Sequence, residues 1–88
     1  MTLRIERASV LRGTIFRLIG RMQSEHLEDV ERNIELGDPK PGLDLLEVTL
    51  VDLEVVRFLI RCEERGVELL NCSPYIRKWM DRERSERE

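Results

Sequence analysis

The side chains able to act as nucleophile, base or soft metal ligand are few: one histidine, His26, and two cysteines, Cys62 and Cys72. A catalytic histidine needs a hydroxyl or thiol to activate, and the sequence sets none beside His26, which reads as a solvated residue on a helix surface. Zinc sites draw on about four nitrogen or sulfur ligands, more than one histidine and two separated cysteines supply. The cysteines stand ten residues apart, without the C-x-x-C spacing of a redox pair. Cys62 falls in a periodic apolar segment and reads as core. Cys72 precedes a helix start, where the helix dipole lowers a thiol's pKa, the one place a functional thiol would fit. The five glycines are scattered and form no phosphate loop. Acid pairs such as Glu63-Glu64 fall on surfaces. The inventory leads to the expectation of no catalysis, no cofactor and no metal.

Composition narrows the classes further. Eighty-eight residues suit one small domain. Only 4 residues are aromatic (Phe16, Phe58, Tyr75 and Trp79), so Leu, Val and Ile must build the core. Fifteen Lys and Arg against 18 Asp and Glu give a net charge of −3. Nucleic-acid binders carry a basic excess to neutralise phosphate, so no nucleic-acid partner is expected. The arginines are interleaved with acids, as on a solvated, salt-bridged surface. The N-terminus carries charge where a signal peptide would be apolar. No apolar run approaches the roughly 18 residues of a membrane span. A cytoplasmic protein with reduced thiols and no direct membrane insertion is expected.

The elements follow from periodicity. Residues 2–22 read as two strands about an Arg12-Gly13 turn, with Phe16, Leu18, Gly20 and Met22 on one face and Ile15, Arg17, Ile19 and Arg21 on the other. Ser24 reads as the N-cap of a helix carrying Leu27, Val30 and Ile34. Gly37-Asp38-Pro39 ends it, and Pro39-Lys40-Pro41-Gly42 forms a stiff loop. Leu43-Asp44-Leu45-Leu46 is a short buried strand. Asp52 caps a second helix that buries Val55, Val56, Leu59, Ile60 and Cys62, turns Glu54, Arg57, Arg61 and Glu64 to water, and stops at Gly66. Val67-Glu68-Leu69-Leu70 is a strand, and Ser73-Pro74 opens a last helix with Tyr75, Ile76, Trp79 and Met80 as its stripe. Residues 81–88 hold no apolar side chain and read as a charged, disordered tail after a domain of residues 1–80. The order β-β-α-β-α-β-α predicts an α/β fold, a central mixed sheet with helices packed mainly on one face.

Within that order, Leu43-Asp44-Leu45-Leu46, the aliphatic-rich run to Asp52, the following helix, and Gly66-Val67-Glu68-Leu69-Leu70-Asn71-Cys72-Ser73-Pro74 resemble a STAS domain, the family of anti-sigma factor antagonists. Leu18-Ile19-Gly20-Arg21-Met22 is similar to the family's L-x-G-x-L segment. The resemblance covers residues 3–80 and implies a STAS-like fold that works by docking on another protein. In regulated antagonists the Asp is followed by a Ser or Thr that a partner kinase phosphorylates. Here Leu53 stands at that position and has no oxygen to modify. Gln23 replaces the family's usual Asp, and the chain is shorter than the family norm.

The resemblance implies a contact surface at Asp52, Leu53, Glu54 and Arg57 with Gln23 and Ser24, and with the loop at 39–42. Its partner would be a kinase-like anti-sigma factor. The alternatives are the ATPase of a membrane lipid or solute transporter, with this chain as its cytoplasmic subunit, and a structural homodimer joined through an apolar patch at Ile15 and Ile19.

Overall fold

Strand alternation at the start of the chain folds as a hairpin: β1 (Leu3–Val10) pairs antiparallel with β2 (Gly13–Met22). The computed structural model describes residues 3–11, 13–36 and 41–87, so Arg12 and the helix end assigned to Gly37-Asp38-Pro39, with Lys40, lie outside the described residues. After β2 come a short 3₁₀ turn (Ser24–His26) and α1 (Leu27–Leu36), then β3 (Gly42–Val51), α2 (Leu53–Glu64), β4 (Glu68–Leu70) and α3 (Pro74–Arg87). The sheet runs β1-β2-β3-β4, with β2, β3 and β4 mutually parallel. The fold is the expected α/β arrangement, a four-stranded mixed sheet with three α-helices.

The crossovers β2-α1-β3 and β3-α2-β4 step in the same direction across the sheet. Right-handed connections therefore place both helices on one face. A single cluster forms there, from Phe16, Leu18, Met22, Leu43 and Leu45 of the sheet, Val30 and Ile34 of α1, Val55, Val56, Phe58, Leu59, Ile60 and Cys62 of α2, and Ile76 and Met80 of α3. The period-two face of β2 and the period-3.6 stripes of the helices thus meet in one core. The pairing of β2 with β3 slips between Arg17 and Ile19 and again between Gly20 and Arg21. Gly20 has φ +109° at that irregularity, a conformation open to glycine and rarely to side-chain-bearing residues. No helix of the described residues is long and apolar enough to cross a membrane.

Three boundaries depart from the sequence reading. β3 has ten residues, not four. It follows the ten-residue β2 to the pair Met22–Val51, and Val48 and Val51 pack against the core past the register slips that break the sequence alternation. Val67 is buried just ahead of β4 rather than within it. The third departure is the segment read as a disordered tail, since α3 runs to Arg87. Ion pairs replace apolar contacts there: Glu83 is only 9% exposed and its Oε1 lies 3.3 Å from Arg57 Nε, while Arg84 bonds Glu63. Arg77 donates to both oxygens of Glu63 at 3.0 Å, so one carboxylate of α2 holds two arginines of α3.

Candidate interaction site at the start of the second helix

β2 and β3 are parallel, so their C-terminal ends open on the same side of the molecule. The chain leaves β2 at Met22 and β3 at Val51, paired neighbours. The residues that follow, Gln23-Ser24 and Asp52-Leu53, are therefore brought side by side. Asp52 joins them. It sits in extended backbone as the N-cap of α2, and its Oδ1 accepts from the Val55 N–H at 2.9 Å. Its Oδ2 accepts from the Ser24 N–H at 2.9 Å. One carboxylate thus caps a helix and pins the neighbouring turn, with both oxygens used. The cap reading of Asp52 holds; that of Ser24 does not. Gln23 stands at the cap position of the 3₁₀ turn, and Ser24 is its first residue. The Gln23 N–H donates to His26 Nδ1 at 3.0 Å.

That bond also corrects the picture of His26 as a solvated surface residue. Its side chain is 13% exposed, with Nε2 3.7 Å from Glu25, and the ring closes the turn from inside. Leu53 begins α2 with 36% of its surface exposed. Arg57, one turn on, reaches Glu54 at 3.5 Å and Glu83 at 3.3 Å. The structure therefore brings Gln23, Ser24, Asp52, Leu53, Glu54 and Arg57 to one end of the molecule and adds Glu83. The sequence signal for Glu83 was its spacing: Ile76, Met80 and Glu83 continue one stripe at intervals of four and three.

Of the loop at 39–42, the described residues Pro41 and Gly42 do not join this surface. Gly42 pairs with Ile15 and Glu68, at the far end of β3 from Val51. The segment entering a parallel strand lies at the opposite end from the one leaving it, so Pro41 and Gly42 are a full strand length away. Pro39 and Lys40 lie outside the described residues.

Ile15 and Ile19 lie on the sheet face without helices, and both are half-buried. Leu50 of β3, 51% exposed, and Val10 of β1, 45% exposed, extend the apolar character of that face. A shallow concavity of about 460 Å³ opens beside Ile15, between Val10, Gly42, Glu68 and Leu70.

Neither thiol is set up as a nucleophile. Burial, with the charge of Glu31 adding to it, pushes the Cys62 thiol up to about 12. Burial raises Cys72 as well, against the lowering expected from its place before α3. Ser73 spends its hydroxyl as the α3 cap, accepting from the Ile76 N–H at 3.3 Å. Among the described residues, no three His, Cys, Asp or Glu side chains converge as a metal site. What this end of the molecule offers is a surface, a partly exposed leucine next to Glu54 at a helix start whose Asp52 carboxylate holds both the Val55 and the Ser24 N–H. No protein-family model matches the chain, and no curated protein matches it.

Proposed function

We propose that the domain works by binding another protein through the surface where α2 begins, without a chemical step of its own. The observation that carries this reading is Leu53. Asp52 anchors the helix start on both sides, through Val55 and Ser24, and Leu53 stands out from it partly exposed. Gln23, Glu54 and Arg57 lie at the same end of the molecule. An apolar anchor inside a polar rim is the usual anatomy of a protein interface. In the STAS antagonists that the chain resembles, a phosphoacceptor follows the Asp, and added charge there changes docking. With Leu53 in its place the contact would be constitutive. A kinase-like anti-sigma factor is then the partner, held by a domain that its kinase activity cannot release. The second reading, a cytoplasmic subunit on the ATPase of a membrane lipid or solute transporter, uses the same surface.

The test is capture of proteins from the native host's lysate by tagged wild type and by Leu53→Asp, with identification by mass spectrometry. An acidic residue in the first turn suits the positive end of a helix, so the variant retains its fold and its melting temperature. Wild type is expected to retain an anti-sigma ATPase that the variant loses. A transporter ATPase and permease lost in the same way would select the second reading. Equal retention by both proteins would remove this surface from the function.

A further inference from the structure

The sheet has β4 and β1 as its outer strands. β4 is three residues long, Glu68–Leu70, and pairs with Gly42–Asp44 of β3. β1 is eight residues long, Leu3–Val10, and among the described residues pairs only with β2. Along β1, alternate backbone N–H and C=O groups point away from the sheet, a template for another strand. The side chains of this edge are ordered in a particular way. Leu3 and Ile5 face the helical side and pack against the core as half-buried residues. Arg4 and Glu6 face the open side, with side chains 67% and 43% exposed and 3.3 Å apart. Arg17 of β2 stands 3.5 Å from Glu6.

We propose that β1 pairs antiparallel with β1 of a second copy about a two-fold axis through Ile5, making one continuous sheet. In this register Ile5 faces Ile5 of the copy, and Leu3 faces Arg7. Arg4 of each chain then stands opposite Glu6 of the other, twice by symmetry. Opposite residues of an antiparallel pair share a face and approach to about 4.5–5.5 Å, so charge at these positions decides the register. Shifting the axis by one residue to Arg4 or Glu6, or by two to Arg7, sets a like-charged pair face to face at the centre. Shifting it to Ala8 leaves Glu6 against Val10 and Arg7 against Ser9, with no opposite charges matched. The Ile5 register is the complementary one. It keeps all six helices on one side and brings the half-buried Leu3 and Ile5 of both chains together across the seam. The contact is isologous and closes on itself, as two-fold interfaces do. It lies on a different element from Leu53, so the two surfaces fail or hold independently.

The charge pattern supplies the test. Arg4→Glu and Glu6→Arg each replace attraction with repulsion at both symmetric pairs. The side chains are exposed, and circular dichroism is expected to show both variants folded. In sedimentation equilibrium across the micromolar range, wild type is expected to form a dimer. Each single variant is expected to raise the dimer dissociation constant by about tenfold or more. Mixing the two in equal amounts restores association, because the acidic side chains at positions 4 and 6 of one variant then face the basic side chains at positions 6 and 4 of the other.

A monomeric wild type at every concentration overturns the proposal. So does a dimer indifferent to both charge reversals, or one that Ile19→Asp dissolves while the charge reversals do not, since that would place the interface on the open sheet face.

Discussion

Replacing Asp52 by alanine removes two bonds at once, and the structure assigns each a size. The bond to the Val55 N–H is a helix N-cap, whose loss costs about 1 kcal/mol. The bond to the Ser24 N–H is charge-assisted but exposed, which places it near the lower end for such bonds, about 1.5 kcal/mol. Together Asp52→Ala should cost about 2.5 kcal/mol. For a domain of this size that lowers the melting temperature by roughly 10–20 °C. Asp52→Asn separates the two contributions. Its amide oxygen can still cap Val55, but its NH₂ faces the Ser24 donor, so about 1.5 kcal/mol is lost. Ser24→Pro deletes the other partner of the second bond. Gln23 is already extended, at φ −123° and ψ 166°, as a residue before proline must be. The assay is urea denaturation followed by far-ultraviolet circular dichroism on wild type, the single variants and the double variant. If Asp52 bridges the two segments, Asp52→Ala costs only about 1 kcal/mol in the Ser24→Pro background. Strictly additive effects, or a loss below about 0.5 kcal/mol for Asp52→Ala alone, would refute the bridge.

Two further expectations concern α2 and α3. Hydrogen bonds from Arg77, and after them from Arg84, hold the Glu63 carboxyl below the usual glutamate range. A lowered folded pKa means that Glu63 stabilises fully above its ordinary value of 4.5 and loses this as pH falls through the lowered one. Glu63→Gln should therefore cost about 1 kcal/mol at neutral pH, with the gap to wild type closing in acid; a gap that persists in denaturation curves at the lowest pH would count against the ion-pair origin. Cys62, fully buried with its thiol pushed up to about 12, should resist a maleimide in mildly alkaline buffer in the folded protein and react at once in urea. Rapid native labelling of Cys62, read by mass spectrometry, would contradict its packing.

Much of the fold could be read from the sequence because local and global signals agree in its core. Phe16, Leu18 and Met22 alternate where β2 has one buried face, and Val55, Val56, Leu59 and Ile60 recur where α2 does. Asp52 and Ser73 cap the helices they precede. The reading failed where order has no apolar signature. β3 continues past Leu46 because β2 offers it a pairing edge, while register slips hide the alternation. Residues 81–87 are helical because Glu83 and Arg84 find Arg57 and Glu63, partners far apart in sequence and close only after folding. The candidate surface was legible as a set of residues, since Asp52 lies next to Leu53, Glu54 and Arg57 in the chain. That Oδ2 would reach Ser24, and that Pro41 and Gly42 would fall at the opposite end, depends on strand direction. Periodicity reveals a strand's faces, and its direction emerges only with the pairing.

The last turns of α3 have a consequence for how the molecule meets its surroundings. Beyond Met80 the tertiary contacts described above are ion pairs, Glu83 with Arg57 and Arg84 with Glu63, so ionic strength bears on these turns more than on the apolar first half of the helix. At about 0.15 M salt the screening length is about 8 Å, and at about 1 M it is about 3 Å, close to the 3.3 Å of the Glu83–Arg57 contact. The Arg84–Glu63 pair is partly open on both sides, with side chains 35% and 30% exposed. In the Glu83–Arg57 pair the carboxylate is sheltered, at 12%, while the arginine is 44% exposed. Ile76 and Met80, seated in the core, keep the first half of the helix in place throughout. Loss of the Glu83 contact would leave Arg57, on the same helix as Leu53, with its ion pair to Glu54.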